Sequence, residues 1–303
     1  MPDRVVVSDE VREALAGGRA VVALESTIVV HGLPAPTNLE VAAECEAAIR
    51  ATGAVPATVG VLEGVPVVGV SADQLARLAD PAHPGAKLSA RDLGPASALG
   101  VSGATTVAGT IALAHVVGVS VMATGGLGGV HRGAATTYDE SADLTAMSRY
   151  SVLVVASGVK SILDVAATLE RLDSLGVPVV GYRTDDFPGF YLTRTGYPLD
   201  WTVDGADAAA LAFRAHRVTS PTGMLLARPV DEDRQLDPAL HERALTDALS
   251  AAAGLSGRAV TPAMLAEFAR VTAGASVTVN RNLVVANAAL AGAVAICLVD
   301  PGK

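Results

Sequence analysis

Apolar runs of strand length alternate with helix-period segments along most of this chain, and that alternation narrows the possible folds more than any other feature. Residues 8–17 read as a short helix, and 19–30 (RAVVALESTIVV) as a strand rich in β-branched residues. Thr37-x-x-Glu40 has capping-box spacing and opens a helix over 38–50. ATVGVL (57–62) and VPVVGV (65–70) straddle Glu63-Gly64 and read as a hairpin. Helices are then expected over 72–79, near 104–117, and over 141–150 and 160–175, with strands at 119–125, 151–158 and 177–182. From 205 onward come a helix, the apolar segment GMLLARP, a long helix over 237–253, a helix started by Thr261-Pro262, a helix near 280–290 and a final strand AVAICLV. This βαβ order predicts an α/β fold: a three-layer α/β/α arrangement with a central mixed, largely parallel sheet, the hairpin supplying the antiparallel part. No composition shift, linker or repeat divides residues 1–303, so a single domain is expected, its helical C-terminal third packed on the sheet.

Composition then excludes whole classes. Hydrophobic residues make up 50% and charged residues 17% of the chain, too apolar for intrinsic disorder. With only Phe 4, Trp 1 and Tyr 5, the core must be built from Ala, Val, Leu and Ile in closely approached layers. A net charge of −9 argues against a nucleic-acid or anionic-membrane partner, whose footprint would be basic. Cys45 and Cys297 lie far apart in apolar stretches, which suits free thiols in a reducing compartment better than a disulfide or a cysteine zinc site. The N-terminal residues lack the order of a signal peptide, and no stretch of membrane length is free of charges and breakers. A soluble, cytoplasmic protein is the expectation.

Lysine usage singles out candidates for chemistry. Of 22 basic residues only Lys87, Lys160 and Lys303 are lysines, and arginine cannot stand in where a deprotonated amine must attack carbon. Lys160 ends the strand-loop SVLVVASGVK and begins the next helix, where the helix dipole disfavours its charge. A solvated first-turn lysine fits the same position. Glu25, between valines in VVALESTIVV, has the surroundings of a carboxyl with a raised pKa, as a general acid needs, or of a strand-end carboxylate capped by Ser26 and Thr27 or paired with an arginine. Lys87, Ser89, Arg91 and Asp92 in AKLSARDL suit a phosphate at a helix start, or form an S-x-x-D cap. GATTVAGT and TGGLGGVHRG add glycine-freed amides and hydroxyls beside strand ends. Asp139 and Asp143 bracket Ser141 and could either hold Mg²⁺ or Mn²⁺ or cap a helix, while His31 and His131 read as loop hydrogen-bonders.

Taken together, ALESTIVVHGLPAPTNLEVA, GAVPATVGVLEG, KLSARDL, GATTVAGT, ATGGLGGVHRGAATTYDESADL, VASGVKSILDVAATLERL and GVPVVGYRTDDFPGFY resemble the pseudouridine-5′-phosphate glycosidases, or indigoidine-synthase-A-like family, in family order from about residue 20 to 195. The resemblance implies cleavage of the C–C glycosidic bond of pseudouridine 5′-phosphate to uracil and ribose 5-phosphate. It implies Glu25 as proton donor and Lys160 as the nucleophile that forms an imine. It implies Lys87, Val107, Ser141, Ala142 and Asp143 as substrate-binding residues, Asp139 as the ligand of one Mn²⁺ ion, and Asn287 as a further substrate-positioning residue. A homotrimer is the implied assembly. Arg228, Tyr138, Arg281 and Val285 depart from the family pattern but leave the Glu25, Lys160 and Asp139 set intact. Two other readings compete: a sugar-phosphate aldolase using the same lysine, and a non-catalytic nucleotide-binding protein in which Glu25 and Lys160 form a buried ion pair. Uracil release separates both from the glycosidase.

Overall fold

The structure is a computed structural model that describes residues 5–253 and 260–299. Its strands are β1 (Val6–Val7), β2 (Val21–Leu24), β3 (Val55–Leu62), β4 (Val65–Val68), β5 (Ala86–Leu88), β6 (Gly103–Thr105), β7 (Val121–Ala123), β8 (Val130–His131), β9 (Leu153–Ala156), β10 (Leu163–Asp164), β11 (Val179–Tyr182), β12 (Thr202–Val203) and β13 (Met224–Ala227). The main sheet runs β1-β4-β3-β2-β7-β9-β13-β11-β12, with β6 also on β3 and β5 on β6. Pairing is parallel from β3 through β2, β7, β9, β13 and β11 to β12, and antiparallel at β3–β4 and β3–β6. Strands β2, β9 and β13 read as unbroken apolar runs, VVAL, LVVA and MLLA, because helices cover both faces and every residue in them is buried. The expected mixed, largely parallel α/β/α architecture is therefore present.

One helical layer is the long helix Ala275–Val299 with Thr37–Ala51 and Ala206–Thr219 beside it; Val107–Val116 and Ala142–Arg149 pack together in another. Residues Val107 to Ala114 are all buried, which is why that segment is apolar on every side.

The sequence reading needs correction at four places. AVAICLV is the last turns of the helix Ala275–Val299 and not a strand, since nothing after Asn287 breaks the helical run and Gly292 lets the helix approach Thr52 closely. That helix is long and apolar enough to cross a membrane by length and composition alone, so the expectation that no such stretch exists fails. In this fold it is a core helix, with Leu283, Ala288, Ala291 and Val294 buried and Arg281 paired with Glu44 on the neighbouring helix at 3.0 Å. The strand expected over 19–30 stops at Leu24. There the Ser26 hydroxyl replaces the ladder, donating to Val59 O at 2.6 Å and accepting from Thr105 N at 2.9 Å, and Ile28–Gly32 coils into a π-turn. The Thr37 capping box does not form, because Thr37 is the first residue inside its helix. Finally, Lys160 does not open a helix. Residues Leu163–Asp164 first pair with β8, and the helix Val165–Ser174 starts at an Asp164 cap that accepts from Ala167 N at 3.0 Å.

Candidate active site

A cavity of about 420 Å³ opens where several parallel strands end, the usual ligand position in an open α/β sheet. Glu25 follows β2, Thr124 follows β7, and the loop carrying Lys160 follows β9; Lys87 sits on β5 and Val107 follows β6. Topology thus gathers residues scattered over more than 130 positions onto one cleft. Glu25, Lys87, Val107, Asp139, Ser141, Ala142, Asp143 and Lys160 all line it.

Lys160 is held by the glycine-rich loop. Its Nζ donates to Gly126 O at 2.9 Å and its backbone N–H to Leu127 O at 3.1 Å, while Leu127 N–H donates to Gly158 O at 3.0 Å. Gly158 has φ +79, and a Cβ there would lie 2.0 Å from Pro188 O, so only glycine lets the lysine loop pass. Glu25 accepts a hydrogen bond from the Thr124 hydroxyl. Burial raises its carboxyl above the ordinary carboxylate range and Asp143 adds to the rise, outweighing the opposite pull of Lys160, the Thr124 bond and Lys87. Glu25 is half-buried at the strand end after Leu24, and among the described residues no arginine pairs with it.

Asp143, buried at 6% exposure, ties two of these parts together. Its Oδ1 accepts from Ala108 N in the first turn of Val107–Val116, and its Oδ2 from Gly128 N in the glycine loop, both at 2.9 Å. A carboxylate with both oxygens engaged this way is a poor metal ligand, which leaves Asp139 as the metal candidate of the pair. Ser141 caps the helix Ala142–Arg149, accepting from Asp143 N at 3.2 Å, and Thr106 caps Val107–Val116. Two capped helix starts therefore face the cavity beside Lys87, a combination that favours an anion.

Asp139 lies at the cavity with its Oδ2 4.0 Å from His131 Nδ1. Burial, with Lys160 and Lys87, holds His131 below the usual imidazole value against the opposing effect of Asp139. Among the described residues no three His, Cys, Asp or Glu side chains cluster as a metal cage. One carboxylate in a polar cleft fits a hard divalent ion that keeps most of its waters, and does not fit an all-protein zinc site.

Asn287 does not line the cavity. It is fully buried beneath it, donating to Thr124 O at 2.9 Å and Ser157 Oγ at 3.0 Å, so it joins the loops after β7 and β9 and acts on the site through them. Asn280, two helical turns earlier on the same helix, reaches the cavity instead. The sequence reading gives Thr124 no role, and names Tyr138, an exposed aromatic at the rim with φ 55, only as a departure from the family pattern.

A lysine amine and a half-buried carboxyl with a raised pKa on one cleft, with helix starts and a second lysine beside them, describe an α/β enzyme of small molecules. The indigoidine synthase A like protein family matches residues 10–297, and the chain belongs to that family. It is 53% identical over 295 residues to a pseudouridine-5′-phosphate glycosidase of Frankia alni, covering 96% of this chain and 81% of that protein. It is 54% identical over 291 residues to one of Salinispora tropica, covering 95% of this chain and 90% of that protein. Among solved structures, the prealnumycin C-glycosynthase AlnA in complex with ribulose 5-phosphate superposes with TM-score 0.90 at 40% identity over 98% of both chains. An indigoidine synthase A-like protein of Thermotoga maritima superposes with TM-score 0.89 at 32% identity over 97% of both.

Proposed function

We propose that this enzyme cleaves the C–C glycosidic bond of pseudouridine 5′-phosphate, reversibly, to uracil and ribose 5-phosphate. The observation that carries the reading is the placement on one cleft of the Lys160 amine and of the Glu25 carboxyl, whose pKa burial raises. The names of the relatives, glycosidases and a C-glycosynthase, describe the same bond type.

A C–C bond to uracil has no nitrogen leaving group to protonate, so the sugar side must push an electron pair into the breaking bond while uracil accepts it at C5. Lys160 Nζ attacks C1′ and displaces the ring oxygen, which takes the Glu25 proton and becomes a hydroxyl. The ammonium so formed gives a proton to the Glu25 carboxylate, which passes it to uracil C5; as it arrives the C1′–C5 bond breaks and the nitrogen lone pair forms an imine at C1′. Water then hydrolyses the imine, releasing ribose 5-phosphate and restoring the amine. The Val107 and Ala142 amides at the two helix starts, with Lys87, hold the phosphate and so fix C1′ against Nζ. Asp143 keeps the helix and the glycine loop at one spacing, and Asn287 does the same for Thr124 and Ser157.

Asp139 would hold Mn²⁺, which supplies positive charge to substrate oxygens when bound. The assembly we assign is a homotrimer and the location the cytoplasm, in keeping with two free cysteines, Cys45 and Cys297. The test is incubation with pseudouridine 5′-phosphate and Mn²⁺ and chromatography for free uracil. Release from this substrate and not from uridine 5′-phosphate supports the reading; release from neither overturns it.

A further inference from the structure

Buried polar atoms without a partner are expensive, so a cluster of them on residues that line one cavity points to a ligand that satisfies them. Among the described residues, Thr27 Oγ1, His31 Nε2 and Asn280 Oδ1 are buried side-chain atoms with no hydrogen-bond partner, and all three residues line this cavity. Thr27 and His31 are four residues apart about the π-turn Ile28–Gly32, while Asn280 comes from the C-terminal helix. None of them has a part in the bond-breaking steps above.

His31 can be assigned a hydrogen-bonding state. Its ring bonds to the Gly85 backbone, and since Nε2 is without a partner, Nδ1 makes that bond. Burial, with Lys87 nearby, lowers the pKa of the ring against the opposing Gly85 bond and so favours its neutral form. A neutral ring whose Nδ1–H is committed presents Nε2 as an acceptor only. An acceptor-only nitrogen has nothing to offer a phosphate, and the donors for a phosphate are already gathered at the two helix starts. It needs an N–H or an O–H.

We propose that His31 sets the specificity for a C-linked over an N-linked base, its Nε2 and Asn280 Oδ1 being the two acceptors for the two ring N–H groups of uracil. Uracil attached through carbon keeps both N–H groups, whereas uracil attached through nitrogen has given one to the glycosidic bond. The C-linked nucleotide fills both acceptors, and the N-linked one leaves a buried acceptor unpaired, a form of rejection much stronger than a missing methylene. The Thr27 hydroxyl is free to donate to a base carbonyl. This inference rests on the pseudouridine 5′-phosphate reading.

The test uses the Lys160→Met protein, which cannot turn substrate over, and calorimetric titration with pseudouridine 5′-phosphate and uridine 5′-phosphate. Adding His31→Ala should weaken pseudouridine 5′-phosphate roughly ten- to hundredfold while leaving uridine 5′-phosphate within about twofold, so that discrimination shrinks. An equal loss for both nucleotides, or no loss, overturns the assignment; equal loss is the result if Nε2 contacts the ribose. If His31→Ala does not fold, pseudouridine 5′-phosphate methylated at N1 or at N3 is titrated against the Lys160→Met protein with His31 intact. Each methylation should cost at least about tenfold, and unchanged binding of either analogue overturns the assignment. Uracil release by the unaltered enzyme keeps the two proposals apart: with no release the substrate reading fails, and with release but unaltered discrimination only the role of His31 fails.

Discussion

Replacing Asp143 by Asn tests the idea that one buried carboxylate sets the spacing between the helix start and the lysine-bearing loops. The two side chains have the same shape, but Asp143 accepts from two backbone N–H groups, Ala108 and Gly128, and an amide offers only one oxygen. In Asp143→Asn one of those N–H groups faces an NH₂ donor. The loss is one hydrogen bond to a charged acceptor plus one buried amide left unsatisfied, together about 2–5 kcal/mol. At ~2.1 cal/mol/K of unfolding entropy per residue, a chain of 303 residues has ~0.6 kcal/mol/K, so each kcal/mol is worth about 1.6 °C. Thermal melts followed by far-UV circular dichroism should therefore show Tm lower by about 3–8 °C. Activity should fall further than stability explains. Gly128 is joined through the loop to Gly126 and Leu127, whose carbonyls hold Lys160, and a small shift of Nζ from C1′ costs about a hundredfold. A variant with Tm within one degree of the parent and unchanged kcat/KM would refute the bridging role.

Three further outcomes are expected. Glu25→Gln should abolish uracil release while raising Tm. The folded carboxyl titrates above its unfolded value, so its penalty is absent below the ordinary carboxylate pKa and grows as pH rises toward the raised one; the gain in Tm should accordingly be larger at pH 8 than at pH 4. Gly128→Ala would place a Cβ 2.2 Å from Ser141 Oγ and 2.8 Å from Asp143 Oδ2, and should cost about 1–3 kcal/mol in urea unfolding together with most activity. Asp139→Asn should raise the Mn²⁺ concentration needed for half-maximal uracil release by about tenfold or more, with the chelated parent enzyme regaining activity when Mn²⁺ is returned.

Much of this was legible in the sequence because the α/β order fixes where strands end. Lys160 was placed by the rule that ligands bind beyond strand carboxyl ends, whereas the strands Ala86–Leu88 and Gly103–Thr105 that bring Lys87 and Val107 to the same cleft are too short to leave a periodic signal. The misreadings have local physical causes. AVAICLV is a continuous apolar run, and periodicity cannot tell a buried strand from a buried helix in such a run. Asp164, the true cap of the helix after Lys160, was visible as an Asp before an apolar helical run, but the SGVK turn drew the helix start forward. Asn280 and Asn287 lie seven residues apart, nearly two helical turns, and so share a face. Which of them reaches the cleft depends on how the helix crosses the sheet, a tertiary fact with no sequence signature. His31 reads in sequence as an ordinary loop hydrogen-bonder for a related reason: an orphaned nitrogen shows itself only when its surroundings are known.

The central claim is a transient covalent bond between Lys160 and the anomeric carbon. Sodium borohydride added while pseudouridine 5′-phosphate is turning over should reduce the imine and stop the enzyme, and peptide mass spectrometry should then find the mass of a reduced pentose phosphate on Lys160. Continued turnover with an unmodified Lys160 peptide, or label on Lys87 in its place, would contradict it.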